Sequence, residues 1–191
     1  MIDDVVNEPL NPWETPEGKE VWKTKAQYFT WVRGNLRKAW SDYPIRKVWK
    51  KQSLRPVTSQ ERADRVYHPS TKNVGQCVFC KEWMAGSKLE CDHIKPSEGC
   101  YDYATAEKFL WHCVGLTAKD FQLACKPCHK IVTLADARGI SFEDARIEKQ
   151  AIAWCKNDTT YQNAELKSLG LSATNAKERR AVYTEYLKSL K

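Results

Sequence analysis

Two CxxC pairs, set 44 residues apart, constrain this chain more than any other feature. Cys77 and Cys80 form the first, Cys125 and Cys128 the second. A tight turn between cysteines at this spacing lets both sulfurs reach one ion at ~2.3 Å, so two such pairs supply the four thiolates of a closed, structural zinc site. A simple zinc ribbon separates its pairs by ~15–20 residues. Here residues 81–124 intervene, so something folded must sit between the pairs. Cys91, Cys100, Cys113 and Cys155 have no paired spacing and are expected to be buried as small hydrophobes. His112 is set aside as a ligand, because it and its neighbour Cys113 point to different faces of any regular element.

Metal is preferred to disulfides because nothing in the sequence points to export. The start, MIDDVVNEPL, is acidic and has neither a basic region nor a hydrophobic core, and no run approaches ~18 apolar residues. An intracellular protein is therefore expected, with neither signal peptide nor membrane span. At 191 residues, 42% of them hydrophobic, the chain can build one medium domain with helical appendages.

The net charge of +7 is concentrated in one segment. Between Arg33 and Arg65 ten basic residues face three acids, and the rest of the chain balances. Thr15 and Pro16 read as the cap and first position of a single helix of about six turns, with Trp22, Ala26, Phe29, Leu36 and Trp40 on its apolar side. A short helix over 44–51 sets Ile45, Val48 and Trp49 against Arg46, Lys47, Lys50 and Lys51. Arg33, Arg37, Arg46, Lys47, Lys50, Lys51 and Arg55 are thus candidates for a phosphate-tracking, DNA-binding surface. Residues 1–14 read as an extended arm, and 53–75, rich in Ser, Pro, Thr and Asn, as a linker. Trp22, Trp40 and Trp49 lie on apolar stripes and are assigned to the core.

Between the cysteine pairs stands CDHIKP, residues 91–96. Leu89, Cys91 and Ile94 bracket Asp92 and His93 in a strand-like run ended by Pro96, which puts carboxylate and imidazole to separate uses. Hydrolysis of a phosphodiester needs an activated water and a cation that neutralises the phosphate. A histidine can accept the water's proton at neutral pH, and an aspartate can hold the cation.

The order CxxC, DHIxP, QLxC and CxxCH resembles the HNH endonucleases of the ββα-metal fold, in particular the zinc-containing subset encoded by many bacteriophages. The resemblance covers roughly residues 74–138. It implies an α+β fold, with a small ββα-metal nuclease core and four-cysteine zinc site flanked by N- and C-terminal helices. It also implies a division into a basic helical region at 1–73, the core at 74–138 and a helical region at 139–191. By position, His93 would be the general base, and Asp92 and His129 the ligands of one catalytic divalent ion, Mg²⁺ or Mn²⁺. Asp120 stands where the family has its middle asparagine, and its charge would raise the pKa of His93 if close. Val132 replaces a common lysine. The stretch between His93 and Asp120 reads as an inserted helix, about 105–113, with Phe109, Leu110 and Cys113 inward.

The partner implied is DNA, and the compartment the cytoplasm of a bacterial host; homing, restriction and packaging roles all use such a module. A zinc-stabilised DNA-binding or packaging accessory protein without nuclease activity is the competing expectation. Beyond the core, helices are read from Ser141 to about Cys155, over 161–169 and over 174–190. The last has Val182, Tyr183, Tyr186 and Leu187 as its stripe and Lys177, Arg179 and Arg180 facing away. Oligomeric state is not legible, and His68 receives no role.

Overall fold

A computed structural model of the chain describes residues 11–190. Most of the predicted arm lies outside these residues; Pro12–Glu14 form a single 3-10 turn. The chain divides into two compact units, with the boundary between Leu123 and Ala124.

The first unit begins with α1 (Pro16–Val21) and α2 (Lys25–Asp42). The single helix expected here is two. Trp22 N–H closes α1 on the Gly18 carbonyl, and Thr24 then caps a new helix by accepting from Gln27 N, while Gln27 Oε1 accepts from Lys23 N. A Thr side chain that competes for backbone donors inside a periodic stretch ends one helix and starts the next. Helix α3 (Pro44–Gln52) follows as expected.

The segment read as a linker is structured. It contains β1 (Arg55–Pro56), α4 (Ser59–Ala63) and the start of β2 (Asn73–Gln76). Its Ser and Thr text encodes a capping box, Thr58 with Glu61. Glu61 also takes a bidentate ion pair from Arg55. Strands β1, β2 and β3 (Trp83–Ala85) form an antiparallel sheet in that order, with Arg55 opposite Val74 and Gly75 opposite Met84. Gly75 is required by contact: a Cβ there would lie 2.7 Å from Leu54, 2.8 Å from Leu89 and 3.0 Å from Leu123.

Strand β4 (Leu89–His93), helix α5 (Tyr103–Val114) and strand β5 (Phe121–Cys125) complete the insertion, and β4 pairs with β5 in a separate two-stranded sheet. Helices α2 and α5 pack together around Phe29, Cys100, Phe109 and Cys113. Phe109 and Cys113 point inward as expected; Leu110 does not, being 41% exposed. The step from 109 to 110 turns the side chain about 100° around the helix, off the face that meets α2.

The second unit holds α6 (Lys126–Arg138), α7 (Phe142–Trp154), α8 (Thr159–Ser168) and α9 (Ala176–Ser189). α7 packs on both α6 and α9. Trp154 stacks on Tyr183 at 4.1 Å and donates its indole N–H to Glu165. Arg179 and Arg180 do not face away, as expected from the stripe. Arg179 donates to buried Gln162, and Arg180 shares Glu148 with Arg138. Cys155 is half-buried rather than buried. No helix among the described residues is long and apolar enough to cross a membrane.

Phe29, 1% exposed at the centre of the α2/α5 contact, sets a stability test. Phe29→Ala is expected to cost about 3–5 kcal/mol in urea unfolding, and Leu110→Ala less than about 1 kcal/mol. Equal costs would show that the core is misassigned.

Candidate functional site

The site is organised by the pairing of β4 and β5. Ile94 N donates to the Asp120 carbonyl at 2.9 Å. One step into β5, Gln122 Nε2 donates to Asp92 Oδ2 at 3.3 Å and to the His93 carbonyl at 3.2 Å. Asp92, only 9% exposed, also accepts from His93 N through Oδ1 at 2.9 Å. Both of its oxygens thus have donors, which a buried carboxylate requires. Gln122, to which the sequence pattern assigns no role, bridges by its side chain to the end of β4, where Asp92 and His93 sit. The available cue was the glutamine that opens the QLxC run.

The His93 imidazole lies between two rings. Trp40 of α2 is 4.0 Å away, centroid to centroid, and His112 of α5 is 3.9 Å away on a tilted plane. His93 Nε2 is buried without a hydrogen-bond partner among the described residues. Burial is the main reason its pKa falls to about 4, with the neighbouring His112 second and Arg46 adding to the effect; a hydrogen bond to the His112 backbone and the charge of Asp120 oppose it. Asp120 therefore acts in the expected direction and is outweighed. His112 is itself pushed down by burial, and Asp92 pulls it the other way.

The adjacency of His112 to Cys113 argues against it as a ligand. The two residues do face differently, yet His112 points at His93 and so belongs to the site. Its position three residues after inward-facing Phe109, on the same flank of α5, was the signal. Asp120 occupies a 3-10 turn, Ala118–Asp120, where its carboxylate accepts from the Thr117 backbone N–H and hydroxyl. Those bonds hold its pKa below the usual range. Its side chain shapes the loop into β5.

Of the seven predicted phosphate contacts, several are committed to the first unit's own structure. Arg46 lies over Trp40 at 4.9 Å and donates to the Ser41 carbonyl. Lys50 donates to the Leu89 carbonyl at 2.6 Å. Arg55 pairs with Glu61 and covers Trp83. Lys47 pairs with Asp42 on the surface. Arg33 is half-buried, and Arg37 and Lys51 are exposed. Trp40, assigned to the core, packs against that core and against the site at once.

Cys77, Cys80, Cys125 and Cys128 form a group whose sulfurs all lie within 4.8 Å of one another. Tetrahedral thiolates at ~2.3 Å from one ion stand about 3.8 Å apart, so the four can hold a metal ion such as zinc. The first knuckle is closed by Lys81 N donating to the Cys77 carbonyl, and Lys81 takes a left-handed backbone (φ 61°) to complete the turn. Cys125 is the N-cap of α6 and Cys128 lies in its first turn, followed by half-buried His129. No other group of three or more His, Cys, Asp or Glu gathers among the described residues.

Comparison of the chain with protein-family models, curated proteins and solved structures returns no significant match.

Two measurements test this geometry. Without added divalent ions, the His93 ring is expected to titrate near pH 4 by NMR. Trp40→Ala should move it toward the ordinary ~6.5. Above about pH 6.5 His93 carries the proton in neither the folded nor the unfolded chain; between 6.5 and 4 only the unfolded chain binds it. Its contribution to stability is then lost as pH falls through that window, and an unshifted titration in the parent would contradict the sandwich. Separately, Cys128→Ser should lower bound zinc and melting temperature together, because a structural ion's binding energy is folding energy. His93→Ala should spare the zinc; equal losses in the two variants would refute the four-cysteine assignment.

Proposed function

We propose that this chain is a metal-dependent DNA endonuclease of the HNH type, built on a ββα-metal core. The observation that carries this reading is the bonding of Ile94 to Asp120 and of Gln122 to Asp92 and His93. It sets an acid and a histidine at one end of a two-stranded sheet whose second strand runs directly into α6. Strand, strand and helix follow in the family's order, with His129 directly after the last thiol.

At neutral pH His93 is uncharged, since its pKa is about 4. It can therefore take a proton from a water attacking phosphorus. In that displacement the water oxygen forms a bond to phosphorus, the bond to the leaving oxygen breaks, and the leaving oxygen is protonated from solvent. Asp92 and His129 would hold a divalent ion, which supplies charge neutralisation at the phosphate. Gln122 fixes the Asp92 carboxylate, and Asp120 shapes the loop that keeps β5 in register. Because His93 Nε2 is closed off, the base must first become accessible, by movement of Trp40 or His112. A buried imidazole with a lowered pKa is also a weaker base than one matched to pH 7.

That burial favours the second reading, a zinc-stabilised DNA-binding or packaging accessory protein with weak or lost nuclease activity. Purified chain incubated with supercoiled plasmid separates the two. The endonuclease is expected to convert plasmid to open or linear forms under Mg²⁺ or Mn²⁺ and not under chelator. His93→Ala should be slower by about 10²–10⁴-fold. Cleavage by His93→Ala at the parent's rate would remove His93 as the base. A parent that binds plasmid but leaves it intact with either ion would leave the accessory role.

A further inference from the structure

An open cleft of about 530 Å³ lies beside the site, lined by Ile94, Lys95, Lys108, Trp111, His112 and Lys119 among others. Its size is within the ~300–1,000 Å³ of pockets that take a drug- or nucleotide-sized molecule. His112 is shared: it lines the cleft and packs against the His93 ring, centroids 3.9 Å apart.

Trp111 is 63% exposed. Each of the other seven tryptophans has a ring or guanidinium neighbour: Trp13, Trp22, Trp31, Trp40, Trp49 and Trp154 contact aromatic rings, and Trp83 is covered by Arg55. Trp111 has none among the described residues. It is nevertheless held in place. A Cβ on Gly115 would come 2.2 Å from Trp111 Cε3, so the indole rests against bare backbone at the end of α5. A seated indole with an open face offers a fixed platform on which a flat ring can stack.

The charges of the cleft are unequally used. Glu98 is paired with Lys108 at 2.8 Å, and the Asp120 carboxylate is taken by Thr117. Lys95 and Lys119 are exposed and make no ion pair or side-chain hydrogen bond among the described residues. An aromatic platform beside two exposed ammonium groups, of which Lys95 also lies in the field of the Asp120 carboxylate, matches a nucleotide, with base on indole and phosphate on lysine. A base within a duplex cannot reach such a platform without leaving its stack, so the fit is to an unpaired one.

We infer that this cleft binds an unpaired nucleotide, its base stacked on Trp111 and its phosphates held by Lys95 and Lys119. This rests on the endonuclease reading and deepens it: the substrate carries an unpaired nucleotide next to the scissile phosphate. The inserted helix α5 is then a substrate-selecting element.

The test is fluorescence anisotropy of the full zinc-loaded chain, without added magnesium, on labelled twelve-nucleotide oligothymidylate and on a duplex of equal length. Trp111→Ala is expected to weaken single-strand binding at least about fivefold, the lower end of one base–aromatic stack. Trp111→Phe should retain most of the affinity, and duplex binding should change by less than about twofold. Lys95→Ala with Lys119→Ala should flatten the dependence of log affinity on log salt by about 1.4, at ~0.7 per phosphate on a single strand; Trp111→Ala should leave that slope unchanged. Matched melting temperatures verify that the variants fold.

Single-strand binding by Trp111→Ala at parental affinity, an equal loss on duplex, or no binding by the parent would each overturn the inference. Cleavage of plasmid is read separately. A parent that cuts while Trp111→Ala binds like it removes the cleft and keeps the endonuclease. A parent that binds through Trp111 and cuts nothing removes the endonuclease and keeps the nucleotide site.

Discussion

The candidate site depends on one short pairing, that of β4 with β5. Two strands of five residues are marginal by themselves in water, and here they are secured at defined points. Gln122 bonds across to Asp92 and His93, Ile94 bonds back to Asp120, and Gly75 lets Leu54, Leu89 and Leu123 meet behind them. A register slip of one residue would exchange the faces to which Asp92 and His93 point, and would remove both acceptors from Gln122. The pairing thus fixes which side chain is buried as an acid and which lies under the rings of Trp40 and His112.

Burial and basicity pull His93 in opposite directions. Packing between Trp40 and His112 gives the imidazole a fixed orientation, and the same packing lowers its pKa to about 4 and leaves Nε2 without a partner. A buried donor or acceptor left unsatisfied costs on the order of 1–3 kcal/mol. That cost is recovered if a proton, a water or a phosphate oxygen reaches Nε2.

What could be read in the sequence divides along physical lines. The four-cysteine group was legible because two CxxC spacings leave few alternatives to a shared ion, and the strand around Asp92 and His93 was legible from its apolar brackets. The break at Trp22–Thr24 was not, since the 3.6-residue period continues through it and only the competition of Thr24 for Gln27 N interrupts the helix. The segment 53–75 misled because Ser and Thr signal both loops and caps; the Thr58 to Glu61 spacing separates the two. Arg179 and Arg180 misled because a polar flank of an amphipathic helix can meet acceptors on neighbouring helices as readily as water, and Glu148 and buried Gln162 provide those partners.

Helix α5 concentrates what lies beyond the sequence pattern. Three consecutive residues, Trp111, His112 and Cys113, meet three environments: the open cleft, the ring of His93 and the core shared with α2. The cause is geometric, because successive side chains on an α-helix are turned by about 100°. One face must anchor the insertion, which Phe109 and Cys113 do, and the residues beside that face are then carried to fixed places next to β4. A loop of equal length could not hold an indole and an imidazole at set distances from His93. The insertion therefore lengthens the connection between the two strands while adding rigid groups to the site they form.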